Sequence, residues 1–246
     1  MKYSEDIETR LLVTTLLERQ RNFTLAEKHW KIYTRLVKKD EKSRLALYQV
    51  EIARADKKGD FKTRKGHYLK ALKLDPKCAP AYTMLARLYR SENKPQKVLD
   101  TWSEFLDHIP ERFSWIYSDL EEYLYEINRY HELIGIYQKL IRQPGSHRYI
   151  AHLALLKQYL KVGQKKEAIA IFNKIKDEKP NKSDSLKEFM RYSLQTQNND
   201  SDLSEFNSMM SSISNLLQYS CKECGTESGT PEWYCGTCGA WESYSM

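Results

Sequence analysis

Residues 80–110 read PAYTMLARLYRSENKPQKVLDTWSEFLDHIP. Tyr82, Leu85, Ala86 and Tyr89 recur at the spacing that lines one face of a helix, and Val98, Trp102 and Phe105 do so again after a polar turn from Glu92 to Pro95. A final Pro110 ends the unit. The stretch therefore reads as two helices joined by a short turn, and such a hairpin cannot bury its apolar face alone.

The same offsets return along the chain. His152, Leu155, Leu156, Tyr159, Gly163, Ala168, Phe172, Ile175 and Pro180 form the clearest second copy. Tyr117, Leu120, Leu124, Asn128, Leu133, Tyr137 and Leu140 lie between the two, and Ile52, Ala55, Gly59, Tyr68, Ala71 and Pro76 precede them. A fainter copy runs over Val13, Leu17, Ala26, Trp30 and Tyr33. With Phe23, Phe61, Pro95, Tyr130 and Lys165 as equivalent points, the spacings are 38, 34, 35 and 35 residues. The array is continuous from near residue 8 to residue 180. These positions resemble the tetratricopeptide repeat, in which large, small and proline residues fall at the same offsets. Ala26, Ala86 and Ala168 then admit close helix approach, and the aromatic residues fill the gap to the next hairpin. The aromatic stripes read as core, not as a cofactor box.

After Pro180, NKSDS offers a helix cap, and Leu186, Phe189, Met190 and Leu194 follow with helical periodicity. The run QTQNNDSD is turn material, and Leu203 to Leu217 then make an amphipathic helix. This pair is expected to cap the array and to seat the segment that follows.

That segment ends the chain as YSCKECGTESGTPEWYCGTCGAWESYSM. Two C-x-x-C pairs, Cys221/Cys224 and Cys235/Cys238, stand ten residues apart, and each is followed by glycine, Gly225 and Gly239. A C-x-x-C turn aims both sulfurs at one point, and a glycine there permits the positive φ that turns backbone N–H groups toward thiolates. Two such turns complete a tetrahedral four-sulfur site suited to one zinc or iron ion. The gap is shorter than the roughly 15–20 residues of some zinc ribbons, which favours knuckles of the rubredoxin type. A redox dithiol and a pair of disulfides are the competing readings. So short a segment lacks the core to fold unaided, so the ion is expected to order it, with Trp233, Tyr234 and Trp241 shielding the site. The fold class is thus all-α: a tetratricopeptide-repeat superhelix over residues 1–217, with a small rubredoxin-like metal-binding domain over 218–246.

Four thiolates leave no open position for water, so hydrolysis at this site is not expected. No H-E-x-x-H, G-x-S-x-G or phosphate-binding glycine loop occurs, and the six histidines stand singly, so no enzymatic role is assigned. The formal net charge of +7 raises nucleic acid as a partner, but the basic residues are scattered and four bound thiolates would offset about two charges. No apolar stretch approaches a membrane span, and the first ten residues lack a signal-peptide core. Four paired cysteines and a lone Cys78 are poor material for a disulfide framework, so the chain reads as cytoplasmic, with Cys78 a small core filler.

Repeats leading directly into such a knuckle resemble the LapB (YciM) family of lipopolysaccharide assembly proteins. The likeness includes LALYQVEIA, LDPKCAPAYTMLARLY, Y-x-C-x-x-C-G at Tyr219 to Gly225, and WYCGTCGAW at Trp233 to Trp241. It runs over nearly the whole chain and corresponds to the C-terminal two-thirds of the family, whose members also carry a membrane anchor and further repeats. Gly236 stands where the family and rubredoxins usually have proline. The resemblance implies an adaptor at the cytoplasmic face of the inner membrane that helps the protease FtsH degrade LpxC, the deacetylase that commits flux to lipid A. It implies no small-molecule substrate. An electron carrier and a nucleic-acid- or ribosome-associated module are the alternatives.

In the tetratricopeptide repeat the first helix of each hairpin lines a concave face. The matching positions here are Thr83, Arg87 and Arg90, then Trp115, Glu122 and Tyr125, then Lys157 and Lys161. This set is basic with aromatic interruptions and suits a peptide carrying acidic side chains. The lysine and asparagine pattern that clamps a partner's C-terminal carboxylate is missing, since the relevant positions hold Gln49 and Ala53, Thr83 and Arg87, and Ser118 and Glu122.

Overall fold

The computed structural model describes residues 7–38, 41–56, 59–178 and 219–245. It is mostly helical with a tiny sheet, and no helix among the described residues is long and apolar enough to cross a membrane. The expected capping pair, over 186–194 and 203–217, lies outside those residues.

The helices run α1 (Ile7–Arg19), α2 (Phe23–Val37), α3 (Lys42–Ala55), α4 (Phe61–Leu74), α5 (Ala79–Ser91) and α6 (Pro95–His108). A 3-10 turn (Pro110–Trp115) leads into α7 (Tyr117–Glu126), α8 (Glu132–Arg142), α9 (His147–Lys161) and α10 (Lys165–Glu178). Local signals set the starts. Asn22 caps α2 by accepting from the Leu25 N–H, Asp60 caps α4 by accepting from the Thr63 N–H, and proline occupies the first turn of α5 and α6.

The repeat is written in the turns. Arg21, Asn93, Asn128 and Gly163 all have left-handed backbones, at φ 55°, 50°, 57° and 75°. Each lies two residues before its equivalent point in the repeat. The next N–H in each case reaches back five residues: Asn22 to Leu17 O, Lys94 to Tyr89 O, Arg129 to Leu124 O and Gln164 to Tyr159 O, at 2.7–3.1 Å. This is the Schellman termination, which satisfies carbonyls that the end of a helix would otherwise leave open. Four of the five hairpins thus turn in the same way at the same register. Seven residues after each equivalent point stands a large aromatic side chain: Trp30, Tyr68, Trp102 and Tyr137 are buried and Phe172 is half-buried.

The chain forms two compact units. The first comprises Met1–Ile109 and Trp233–Trp241, the second Pro110–Glu232 and Glu242–Met246. In the first, α1 pairs with α2, α3 with α4 and α5 with α6, and Phe23, Ala26, Trp30 and Tyr48 form one buried cluster. Cys78 is buried there too, as a core filler at the start of α5. In the second, α9 packs on the 3-10 turn, α8 and α10, over a core that includes Phe113, Ile116, Leu120, Leu124, Leu133, Tyr137 and Leu140. A three-stranded antiparallel sheet also belongs to it, with β1 (Tyr219–Cys221) central between β2 (Glu227–Ser228) and β3 (Tyr244–Ser245).

Candidate metal centre

Both C-x-x-C-G segments fold identically at the backbone. The Cys221 N–H donates to Thr226 O at 2.9 Å and the Gly225 N–H to Cys221 O at 2.8 Å. Fourteen residues on, the Cys235 N–H donates to Ala240 O and the Gly239 N–H to Cys235 O, both at 2.8 Å. Gly225 and Gly239 sit at φ 74° and 77°, a conformation that a Cβ strains, so glycine follows each pair for the reason the sequence indicated.

The four sulfur atoms of Cys221, Cys224, Cys235 and Cys238 all lie within 4.8 Å of one another. A tetrahedral ion with bonds of about 2.3 Å to sulfur requires sulfur–sulfur edges of about 3.8 Å, so small side-chain adjustments complete the shell. None of the four is assigned to a disulfide. Cys221 and Cys235 are buried, Cys238 is half-buried and Cys224 is exposed. Hydroxyls support the sulfurs: Ser243 Oγ lies 3.1 Å from Cys221 Sγ, and Thr226 Oγ1 lies 3.1 Å from Cys224 Sγ. The Ser243 contact leads the effects that hold Cys221 below its ordinary thiol pKa, against the opposing pull of desolvation. The donor set thus fits a soft or borderline cation, zinc or iron, and its second shell is already in place.

The tryptophans anchor the second knuckle to helices. Trp233 is buried and donates its indole N–H to a carboxylate oxygen of Glu51, on α3, at 2.7 Å, while the Arg54 guanidinium covers the ring at 5.1 Å. Trp241 meets Phe23 and Tyr48 edge-on, with centroids 5.9 and 5.8 Å away, and Arg44 stacks on it at 4.9 Å. Arg44 pairs with buried Glu18 at 3.2 Å, and the Tyr48 hydroxyl donates to the same carboxylate. Tyr234 packs on Trp241 and Phe23. The segment 233–241 is therefore seated on α2 and α3; its expected seat, the helices over 186–217, lies outside the described residues. Within the second unit, the Tyr219 hydroxyl donates to Ser114 O at 3.3 Å, and Arg112 pairs with Glu242 at 2.7 Å. Sequence periodicity marked none of Glu51, Arg44, Arg54 or Ser243; only the tryptophans flanking the second knuckle hinted that something must receive them.

The expected partner-facing residues fare unevenly. Arg87 is exposed and Arg90 half-buried on α5, but Thr83 is buried, its hydroxyl donating to Ala79 O one turn back, so it is not open to a partner. In the second unit, Trp115 is half-buried beneath Arg112, and Glu122 is exposed. Tyr125 stacks on Tyr130 at 5.3 Å and donates to Gln158 Oε1 at 2.9 Å. Lys157 and Lys161 bind the chain's own Glu121 at 2.7 and 3.2 Å, and Lys161 also covers Tyr125. Scanned against known protein families and searched against curated proteins, the chain matches none.

Proposed function

We propose that this chain is a non-enzymatic adaptor of the LapB type: a tetratricopeptide superhelix whose concave face takes protein partners, closed by a rubredoxin-like knuckle around one structural zinc or iron ion. The observation that carries this reading is the closed four-thiolate set at the end of repeated helical hairpins. A tetrahedral ion saturated by sulfur has no position for substrate or water, so its role is to order backbone rather than to react. Cys221, Cys224, Cys235 and Cys238 would hold the ion. The sequence likeness supplies the partners, FtsH and LpxC, and the place of action, the cytoplasmic face of the inner membrane.

Lys157 and Lys161 share the single carboxylate of Glu121, so the trio keeps a net positive charge that can draw an acidic partner. The reading is tested by mixing the purified chain with membrane-embedded FtsH and with LpxC. We expect the chain to bind at least one of them and to shorten the lifetime of LpxC, with a variant lacking all four cysteines impaired. A chain that binds neither protein and leaves LpxC turnover unchanged would refute the proposal.

A further inference from the structure

Helices α7 and α9, the first helices of consecutive hairpins in the second unit, share a side-chain cluster that holds more hydrogen-bond donors than acceptors. Glu121 accepts from Lys157 at 2.7 Å and from Lys161 at 3.2 Å, and the three side chains are 12, 16 and 29% exposed. One carboxylate between two ammonium groups leaves a positive charge over, in a partly buried setting where salt screens it less than at an open surface. Gln158, next to Lys157 in sequence, is 1% exposed. Its Oε1 accepts from the Tyr125 hydroxyl at 2.9 Å, but its amide nitrogen has no acceptor. A buried donor left open is costly, so the cluster is short of an acceptor as well as of a negative charge.

The outer side of the cluster is aromatic. Tyr125 and Tyr130 are 36 and 38% exposed and stack with their planes 12° apart, and Lys161 Nζ lies 4.5 Å from the Tyr125 centroid. Helix α7 also carries Asp119, Glu122 and Glu126 and no basic residue. A strand of phosphates would meet repulsion along that helix which a single carboxylate on an apolar chain avoids. We propose that this corner is a subsite for one glutamate or aspartate side chain of a partner peptide. Its carboxylate accepts from Lys161 Nζ, the more exposed of the two ammonium groups, and from the Gln158 amide, which a small shift of the Tyr125 ring uncovers, while a flanking apolar side chain lies against the tyrosine stack. Glu121 is then an internal competitor that holds the lysines until the partner arrives. The subsite rests on the adaptor reading in one respect: the first helices of the hairpins face the partner.

The test titrates the full chain at low salt with two blocked peptides, Ser-Phe-Glu-Phe-Ser and Ser-Phe-Gln-Phe-Ser, while NMR follows the side-chain amide of Gln158. We expect the glutamate peptide to shift that resonance and to bind about tenfold tighter than the glutamine peptide, the order of one charge-assisted hydrogen bond. Lys161→Met, which keeps an apolar stem against Tyr125, should abolish the preference with helical circular dichroism unchanged. Glu121→Gln should raise the affinity for the glutamate peptide about threefold or more, because the lysines lose their internal carboxylate. Should that variant lose helix, Lys161→Met alone decides. Equal binding of the two peptides overturns the proposal, as does a preference that survives Lys161→Met or an affinity that fails to rise in a folded Glu121→Gln variant. A short single-stranded oligonucleotide that shifts Gln158 at lower concentration than the peptide overturns it too, and points to nucleic acid. FtsH and LpxC take no part in these titrations, so failure here leaves the adaptor reading standing, and a glutamate preference in a chain that ignores both proteins supports the subsite while refuting that reading.

Discussion

Trp233 donates its indole N–H to Glu51 across 182 residues of sequence, and this bond joins the second cysteine knuckle to helix α3. Glu51 is buried, and a buried carboxylate must be paired or neutralised. Trp233 and Arg54, whose Nη1 lies 3.4 Å from the same oxygen, supply the partners. Removing the carboxylate therefore costs the knuckle its anchor and leaves an indole N–H without an acceptor.

Glu51→Ala should lower the unfolding free energy by roughly 1.5–3 kcal/mol, the range for hydrogen bonds to charged groups. Glu51→Gln, which keeps an acceptor oxygen, should cost less. Urea denaturation measures both, and limited proteolysis between Lys222 and Glu232 should quicken in the alanine variant. Equal stabilities for the two variants would show that the bond contributes little.

Metal analysis should find close to one zinc or iron ion per chain, and Cys235→Ser should lower that occupancy while leaving helical circular dichroism nearly intact. Chelation should open residues 219–232 first, because the segment 233–241 keeps its tryptophan seat on α2 and α3 without the ion. Hydrogen exchange reads the order of opening. Uniform protection of both knuckles after metal removal would contradict it.

Acid should act through Glu121. Burial alone would raise this carboxyl, but Lys157 and then Lys161 outweigh burial and hold it below the ordinary value of 4.5. A carboxyl depressed in the folded state adds stability above its unfolded pKa, and that stability is lost as the pH falls from about 4.5 through the lower folded value. Burial also pulls Lys157 below its ordinary value despite the attraction of Glu121, so the pair stabilises less than the carboxyl shift alone would indicate. Glu121→Gln should flatten this part of the stability curve and destabilise the protein at pH 7 by roughly 1–3 kcal/mol, because Lys157 loses its carboxylate but keeps the Tyr117 hydroxyl as an acceptor. An unchanged acid slope in the glutamine variant would assign the acid sensitivity to other groups.

The Schellman turns make a prediction of opposite signs. Gly163→Ala has space for its methyl group but places it at φ 75°, and should destabilise by about 1 kcal/mol. Arg21→Gly, at φ 55° in the equivalent turn, relieves the same strain and should stabilise by roughly 0.5–1 kcal/mol. Thermal unfolding of the two variants checks the pair, and shifts in the same direction would break the equivalence of the turns.

The hairpins were legible because their pattern is local: each helix lies within one period, and the equivalent points chosen from Phe23 to Lys165 fall at or near the starts of the second helices. The second hairpin, at the 38-residue spacing, is the one whose turn departs from the common form, with Asp56 closing α3 at φ −78°. The cysteine cluster was legible for a related reason, since each C-x-x-C-G closes its own turn through hydrogen bonds four and five residues long. The seat of the knuckle was not, because Glu51 and Trp233 meet only after the chain has returned from the far end of the sequence. Thr83 misled because a repeat position fixes the face of a helix but not what packs upon it. The ion pairs of Lys157 and Lys161 were not legible because Glu121, which they share, lies on another helix.

The return of Trp233 and Trp241 to α2 and α3 also sets an order of events during synthesis. Phe23 and Tyr48 leave the ribosome long before Trp241, which covers them, and at about 5–20 residues per second the interval is roughly 10–40 s. A nascent chain stopped before Trp233 should therefore display a bare aromatic seat and bind an apolar dye that the finished chain excludes. For that interval the first hairpins expose aromatic surface of the kind that a holding chaperone binds.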